Sequence, residues 1–388
     1  YTTHDTFIKS ILEKGIHYYT NDSLGLTILK YSKKHPNCNL EDSFTMKCRG
    51  LVVETATRKI VSVPPEKSYR FECFSSYVQN WNDVIVEEFI DGTMINVFNY
   101  QGEWHISTRS NIGANCRWFS DKKFSEMFDE AKGSLDFNKL DVNCNYSFVL
   151  RHPENRIVKN YNVADLVLVQ VATLGENNII LQNISNVRDE LNSRGMEITI
   201  PKQYDNMTLE KIINILSDMD YQEQGLVFKY HGMRSKLRNE KYNYVKGLRG
   251  NNPKTFYNYI ELRNSKLVKK YLSYFPEYEE EFNDYRDKIH RMTGLLHHCY
   301  VNYFIRKTIS RDTIPYELIP LVYALHTQHK TLGIKVTFDY AKNYFNNLPI
   351  KKIIFVVNYQ KNKEYHESKM IQPTQNNIEV QEENLVAV

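Results

Sequence analysis

Glu87-Glu88-Phe89-Ile90-Asp91-Gly92-Thr93 places carboxylates and one aromatic ring where an apolar strand ends and a second strand begins. Alternation along a strand puts Glu87, Phe89 and Asp91 on one face. The block at 241–252, KYNYVKGLRGNN, is basic with interleaved tyrosines and glycines. Such a block either follows an RNA strand or links two domains, and its position favours RNA. His297-His298-Cys299 has the residue types of a metal site, but neighbours on a helix point in different directions, so these read as ordinary polar residues. Six cysteines without a CxxC pair give neither a zinc ribbon nor a disulfide framework, and a reducing, cytoplasmic setting is expected.

The elements that must position these groups follow from periodicity. Phe7, Ile8, Ile11 and Leu12 define a helix over Asp5 to Lys14 that stops at Gly15. Short strands are expected at 24–29, 51–54, 60–63, 84–90, 94–98 and 104–108, then at 146–150, 166–172, 179–181, 225–230 and 235–238. Helices are expected at 121–131, 186–193 and 208–218, an α+β pattern with antiparallel sheets. Beyond Gly250 long Tyr/Leu/Ile-periodic stretches predict helices at 253–272, 277–308, 315–328 and 339–347. The expected domains are therefore 1–248, a helical 249–350, and 351–388 as an apolar run at 353–357 followed by a disordered polar tail.

The chain has 388 residues, 50 basic against 46 acidic. Near-neutrality excludes a histone-like coat, so nucleic acid must be met by a local patch. Nineteen Phe and 28 Tyr supply real cores, which excludes disorder as the main state. No apolar run reaches the roughly 20 residues of a membrane span, and the start at Tyr1 shows no leader pattern, so neither membrane nor targeting peptide is expected.

Several segments in order resemble phage-type RNA ligases, members of the covalent nucleotidyltransferase superfamily with DNA ligases and mRNA capping enzymes. Phe89-Ile90-Asp91-Gly92-Thr93 is similar to the Lys-x-Asp-Gly-Ser/Thr motif, whose lysine attacks ATP. Lys47-Cys48-Arg49-Gly50, Pro65-Glu66-Lys67-Ser68-Tyr69-Arg70-Phe71 and Ser107-Thr108-Arg109-Ser110 resemble upstream and intervening segments. His152-Pro153-Glu154-Asn155-Arg156-Ile157-Val158, Gln224-Gly225-Leu226-Val227-Phe228-Lys229 and Lys236-Leu237-Arg238 with Tyr242 complete the series, over roughly residues 45–245. The resemblance implies an RNA-ligase-like domain of antiparallel sheets with flanking helices, followed by the mostly helical C-terminal domain.

Three positions depart from the pattern. Phe89 stands at the place of the nucleophile, Val149 and Gln224 at the places of two glutamates, and Glu223 would face the wrong side of its strand. A ring forms no phosphoramidate, and the lost anions remove ligands that Mg²⁺ requires. The expectation is a noncatalytic reader of a nucleotide or an RNA 5′ end, without a cofactor. By the resemblance Arg49, Lys67, Arg109, His152, Arg156, Lys229, Lys236 and Arg238 face phosphates, joined by Lys246 and Arg249 from the basic block. Phe89, beside Asp91 and Gly92, is either a core filler or a stacking platform, with Tyr69, Phe71, Trp81, Trp104 and Trp118 as second faces and Glu54 or Asp91 as acceptors for a base edge. Two such rings would suit a methylated mRNA cap. The alternatives are an ATP- and Mg²⁺-dependent repair ligase with a relocated or removed nucleophile, and a structural subunit that meets a protein partner through its helical domain.

Overall fold

The computed structural model describes residues 2–175 and 178–371, with side chains from residue 6 to 364. The chain divides into two compact units, 1–253 and 254–388. The first unit carries three sheets whose strand pairings are all antiparallel. After helix α1 (Thr2–Glu13), strands β1 (Ile16–Asn21), β2 (Leu26–Tyr31), β3 (Arg49–Glu54) and β4 (Ile60–Ser62) form one sheet, with α2 (Ser43–Lys47) inserted. Helix α3 (Phe71–Tyr77) precedes β5 (Ile85–Glu88), β6 (Thr93–Tyr100) and β7 (Glu103–Ser107). Helix α4 (Phe124–Ala131) is followed by β8 (Cys144–Arg151), β9 (Asp165–Leu174), β10 (Ile179–Leu181), α5 (Ile184–Ser193), β11 (Gln203–Tyr204) and α6 (Leu209–Asp218). Strands β12 (Gly225–Tyr230) and β13 (Met233–Arg238) then lead into α7 (Glu240–Arg249). The second sheet runs β10-β9-β8-β6-β7 and the third β11-β5-β12-β13.

Alternation puts Val86 and buried Glu87 on opposite faces of β5, and the strand ends at Glu88, before Ile90. Val86 joins Phe74, Leu226 and Phe228 in one core, while Ile90, just past the strand, packs with Val149 and Val167 in another. The chain crosses from β5 into the neighbouring sheet at Gly92, whose φ is 154° and whose absent Cβ would lie 2.4 Å from the carbonyl oxygen of Leu150. No side chain fits there, which is why glycine precedes Thr93.

Three expectations need correction. Residues 240–249 of the basic block are not a linker but a helix: α7 is capped by the Asn239 side chain and buries Tyr242, Val245, Leu248 and Arg249. Its Tyr and Leu spacing matches a helix face, which the interleaved basic residues obscured. The helix expected at 253–272 is two, α8 (Thr255–Asn264) and α9 (Val268–Tyr274). Lys266 between them adopts φ 61°, and the Leu267 N–H donates to the Leu262 carbonyl, a left-handed C-terminal stop that periodicity does not reveal. The segment at 353–357 lies within a long helix that runs to residue 371, so the polar stretch after Gln360 begins as helix. The acidic end at 379–383 lies outside the described residues.

The second unit continues with α10 (Glu279–Tyr300), α11 (Ile319–Leu332), α12 (Phe338–Asn346) and α13 (Ile350–Ile371). Among the described residues, no helix is long and apolar enough to cross a membrane.

Candidate nucleotide-binding cleft

Phe89 lies one residue past β5, its N–H donating to the Gly225 carbonyl at 2.9 Å. Strand β13 supplies Arg234, Lys236 and Arg238 at every second position, so all three side chains leave one face. Their charged groups stand 5.8, 5.2 and 5.6 Å from the Phe89 ring centroid, within cation–π range. Gly225 pairs with Arg238 across the ladder, and a Cβ there would meet the Leu237 carbonyl oxygen at 2.1 Å.

A second group of cations adjoins this one. The Arg49 Nη1 donates to the Pro65 and Glu66 carbonyls at 3.3 and 3.2 Å. Arg109 lies over Tyr31 at 4.8 Å and donates from Nη2 to its carbonyl at 3.2 Å. Each guanidinium keeps a buried Nε–H without a partner among the described residues. Burial lowers the pKa of Lys236 to about 7, helped by Arg238, Arg234, Arg49 and Lys33. Lys33 is lowered by burial and then by Arg109, Arg49, Lys67 and Arg238. Arg234 falls to about 10, again through burial first and Arg49 second. Among the described residues, none of these seven cations has a carboxylate within 4 Å. Lys33 and Arg238 are exposed, while Arg49, Arg234 and Lys236 are partly buried, and like charges gathered at a partly buried site are costly unless an anion neutralises them.

The motif around Asp91 is braced from two directions. Its Oδ2 accepts from the N–H groups of Val158 and Lys159 at 3.1 and 3.0 Å, and its Oδ1 from the Tyr242 hydroxyl at 2.7 Å. The Tyr161 hydroxyl donates to its carbonyl at 2.9 Å, and the Asn155 amide donates to Thr93 Oγ1 at 2.8 Å. Burial, and then the Asp91 charge, pushes both tyrosine hydroxyls up. Asp91 therefore organises the backbone and is not free to accept from a base edge.

Arg49, Lys67, Arg109, Lys236 and Arg238 thus share one electrostatic cluster. Lys246 joins its edge, lowered by burial and by Arg238, and lies 5.6 Å from the Tyr242 ring. Sequence reasoning missed two members, Lys33 and Arg234. The spacing of Arg234 from Lys236 in RSKLR was the available signal; Lys33 carries none.

Other expected contacts lie elsewhere. Lys229 is consumed by an ion pair with buried Glu87 at 2.6 Å and a bond to the Val169 carbonyl at 2.9 Å. His152 is buried, held to Glu130 at 2.9 Å while accepting from the Glu154 N–H at 3.1 Å. Arg156 donates to the Val158 carbonyl, and Arg249 is buried with its guanidinium 4.0 Å from the Phe119 ring. Glu54 accepts from the Tyr100 hydroxyl at the opposite end of β3 from Arg49, about 16 Å along the strand.

The expected aromatic sandwich does not form. Phe71 and Trp81 pack around Phe228, with Tyr69 against the same cluster, on the face of the sheet that turns away from Phe89. Trp104 packs on Phe137 and Tyr146, and Trp118 on Phe119. Among the described residues Phe89 has cations for neighbours and no ring.

Metal ligands are also lacking at the positions the resemblance marks. Val149 is in the core, Gln224 is buried, and the Glu223 carboxylate accepts from the Asp220 N–H at 2.9 Å. Among the described residues, no three His, Cys, Asp or Glu side chains converge as a metal site.

No family profile matches the chain. The "Immediate-early protein ICP-46 homolog" of Invertebrate iridescent virus 3 is 24% identical over 292 residues, 68% of this chain and 62% of that protein. The "Putative bifunctional polynucleotide kinase/RNA ligase" of Autographa californica nuclear polyhedrosis virus is 29% identical over 136 residues, 30% of this chain and 20% of that protein. Over those 136 residues the chain is similar to a putative viral RNA ligase. Among solved structures, an archaeal ATP-dependent RNA ligase covers 95% of this chain with 80% of its own, at 12% identity and a TM-score of 0.43. Naegleria gruberi RNA ligase with PPi covers 46% with 56%, at 15% identity and a TM-score of 0.36. At these scores the shapes agree loosely and no residue's role transfers. The ligase-like chain spans less than two thirds of either sequence relative.

Proposed function

We propose that this ligase-like protein binds the phosphorylated 5′ end of RNA, or a nucleotide, without forming a covalent bond to it. Phe89 takes the position of the attacking lysine and offers no amine. The observation that carries the reading is the set of cations around that ring, half-buried Arg234 and Lys236 with exposed Arg238, none with a carboxylate within 4 Å among the described residues, beside Arg49 and Arg109 whose buried Nε–H groups have no partner among those residues. Phosphate oxygens supply what this set lacks, and bidentate contacts from arginine suit them. The ring can still meet a base by stacking, worth about 1–3 kcal/mol. A cap is the less favoured ligand, because methylated guanine is positively charged and would approach Arg234, Lys236 and Arg238.

A second reading rests on Lys236. Its amine stands 5.2 Å from the Phe89 centroid and its pKa of about 7 leaves a large neutral fraction at neutral pH, the state a nucleophile needs. In this reading Lys236 Nζ bonds to the α-phosphorus of ATP, pyrophosphate leaves, and the amine loses its proton.

One experiment separates them. The protein is incubated with ATP labelled at the α-phosphate and with Mg²⁺ or Mn²⁺, then denatured, and titrated separately with 5′-phosphorylated, 5′-hydroxyl and capped RNA. Binding that requires the 5′-phosphate, with no labelled band, is the expected result. A labelled band lost in Lys236→Arg establishes the second reading. Equal, weak binding of all three RNAs leaves the cleft vestigial and points to a structural subunit.

A further inference from the structure

The second unit carries an aromatic surface at the C-terminal end of α10 that the cleft does not use. The helix widens there into a π-turn over Val301–Ile305, closed by the Arg306 N–H donating to the Val301 carbonyl at 2.8 Å. Lys307 follows with φ 56°, a left-handed conformation unusual for a residue with a Cβ. Buried Asn302 fixes this irregular path: the Thr308 N–H donates to its carbonyl at 2.9 Å, and its amide meets His298 Nε2 at the same distance. π-Turns and strained residues concentrate at functional sites. Their effect here is to push Ile305, 57% exposed, and the exposed Arg306 and Lys307 outward.

Beside them lies a ring cluster shared with α11. Phe304 stacks on His326 at 3.7 Å and 9°, and meets Tyr323 edge-on at 5.4 Å. The Tyr303 and Tyr323 hydroxyls are 2.8 Å apart, and Tyr323 is 38% exposed. The His326 Nδ1 is buried without a partner among the described residues. Charge around the rings is one-sided. Residues 300–332 contain Arg306, Lys307, Arg311 and Lys330 against Asp312 and Glu317, and Glu317 is buried and accepts from Gln360. Among the described residues, none of those four cations has a carboxylate within 4 Å. At the other end of α10, about 33 Å away, the first turn is Glu279-Glu280-Glu281. The two ends of α10 thus differ in charge, and the exposed Tyr323 ring lies with the basic one.

We propose that Tyr303, Phe304 and Tyr323, with Arg306, Lys307 and Lys330, form a stacking surface for single-stranded RNA on the second unit. Rings give sequence-tolerant affinity through base stacking, and the cations follow the backbone. The test uses the full chain and a 5′-hydroxyl oligouridylate of about twelve nucleotides, which lacks the phosphate that the cleft is proposed to need. Anisotropy titrations compare wild type with Arg306→Glu/Lys307→Glu, both exposed positions, and with Tyr323→Leu. The expected losses are at least ~10-fold for the charge reversal and ~5-fold for the ring. Pyrophosphate binding measured by calorimetry stays unchanged in both, so failure of the cleft reading and failure of this one give different patterns. Ultraviolet cross-links are expected at Tyr303 or Tyr323. Undiminished binding by both variants, cross-links confined to residues 1–253, or no binding of oligouridylate by the wild type overturns the proposal; the last result would leave the surface to a protein.

Discussion

The two faces of the sheet β11-β5-β12-β13 are built from one set of strands and differ in almost everything else. One presents Val86, Leu226 and Phe228, covered by Phe71, Phe74 and Trp81 with rings 5.0–6.5 Å apart. The other presents Val227, Arg234, Lys236 and Arg238 toward Phe89, with no carboxylate within 4 Å of these three cations among the described residues, although buried Glu87, paired to Lys229, attracts Arg234 from farther off. The first face completes its interactions within the chain; the second does not. A fold bears such an incomplete surface when a ligand completes it, and the aromatic side carries the stability that the cationic side gives up.

The comparison breaks most visibly on the aromatic face. Phe228→Ala is expected to lower unfolding free energy by about 3–5 kcal/mol, read by denaturant titration, while the folded fraction binds 5′-phosphorylated RNA as before. The opposite pattern is expected on the other face. Arg238→Glu should weaken that binding by about 100-fold, on the order of 3 kcal/mol, with an unchanged melting temperature. If it melts early instead, the cationic face is structural and the contrast fails.

Tyr242→Phe tests whether the brace between the faces belongs to stability. Removing the hydroxyl donor to buried Asp91 is expected to cost about 1–3 kcal/mol of unfolding free energy, with binding reduced only in proportion to the unfolded fraction. The smallest effect is pH dependence. Lys236, with its pKa lowered to about 7, loses its charge as pH rises, so affinity for 5′-phosphorylated RNA should fall several-fold between about pH 6.5 and 8.5. Lys236→Arg should flatten that profile. Stability runs the other way: the unfolded chain holds this proton up to its ordinary lysine pKa near 10.5, so protonating buried Lys236 penalises the fold below about pH 7 and the penalty is relieved as pH rises from there.

Much of the sheet architecture was legible because alternation and turn residues are local signals: β6, β8, β9, β12 and the stop at Gly15 appear close to their expected positions. The cationic group around Arg49 and Lys236 was legible only through motif order, since those residues lie far apart in sequence and on strands of two different sheets, brought together by tertiary packing. The aromatic partners of Phe89 were not legible. Tyr69, Phe71 and Trp81 have the right chemistry, and only the tertiary placement of α3 against Phe228 sends them to the other side. The basic block hid a helix because charge drew attention away from the buried stripe of Tyr242, Val245 and Leu248.

The bond from Tyr242 to Asp91 has a practical corollary for dissecting this protein. A fragment cut just after β13 would contain every cation around Phe89 and yet strand a desolvated carboxylate, so it should misfold for reasons unrelated to RNA. The smallest piece worth testing must extend at least through Arg249, the last buried residue of α7.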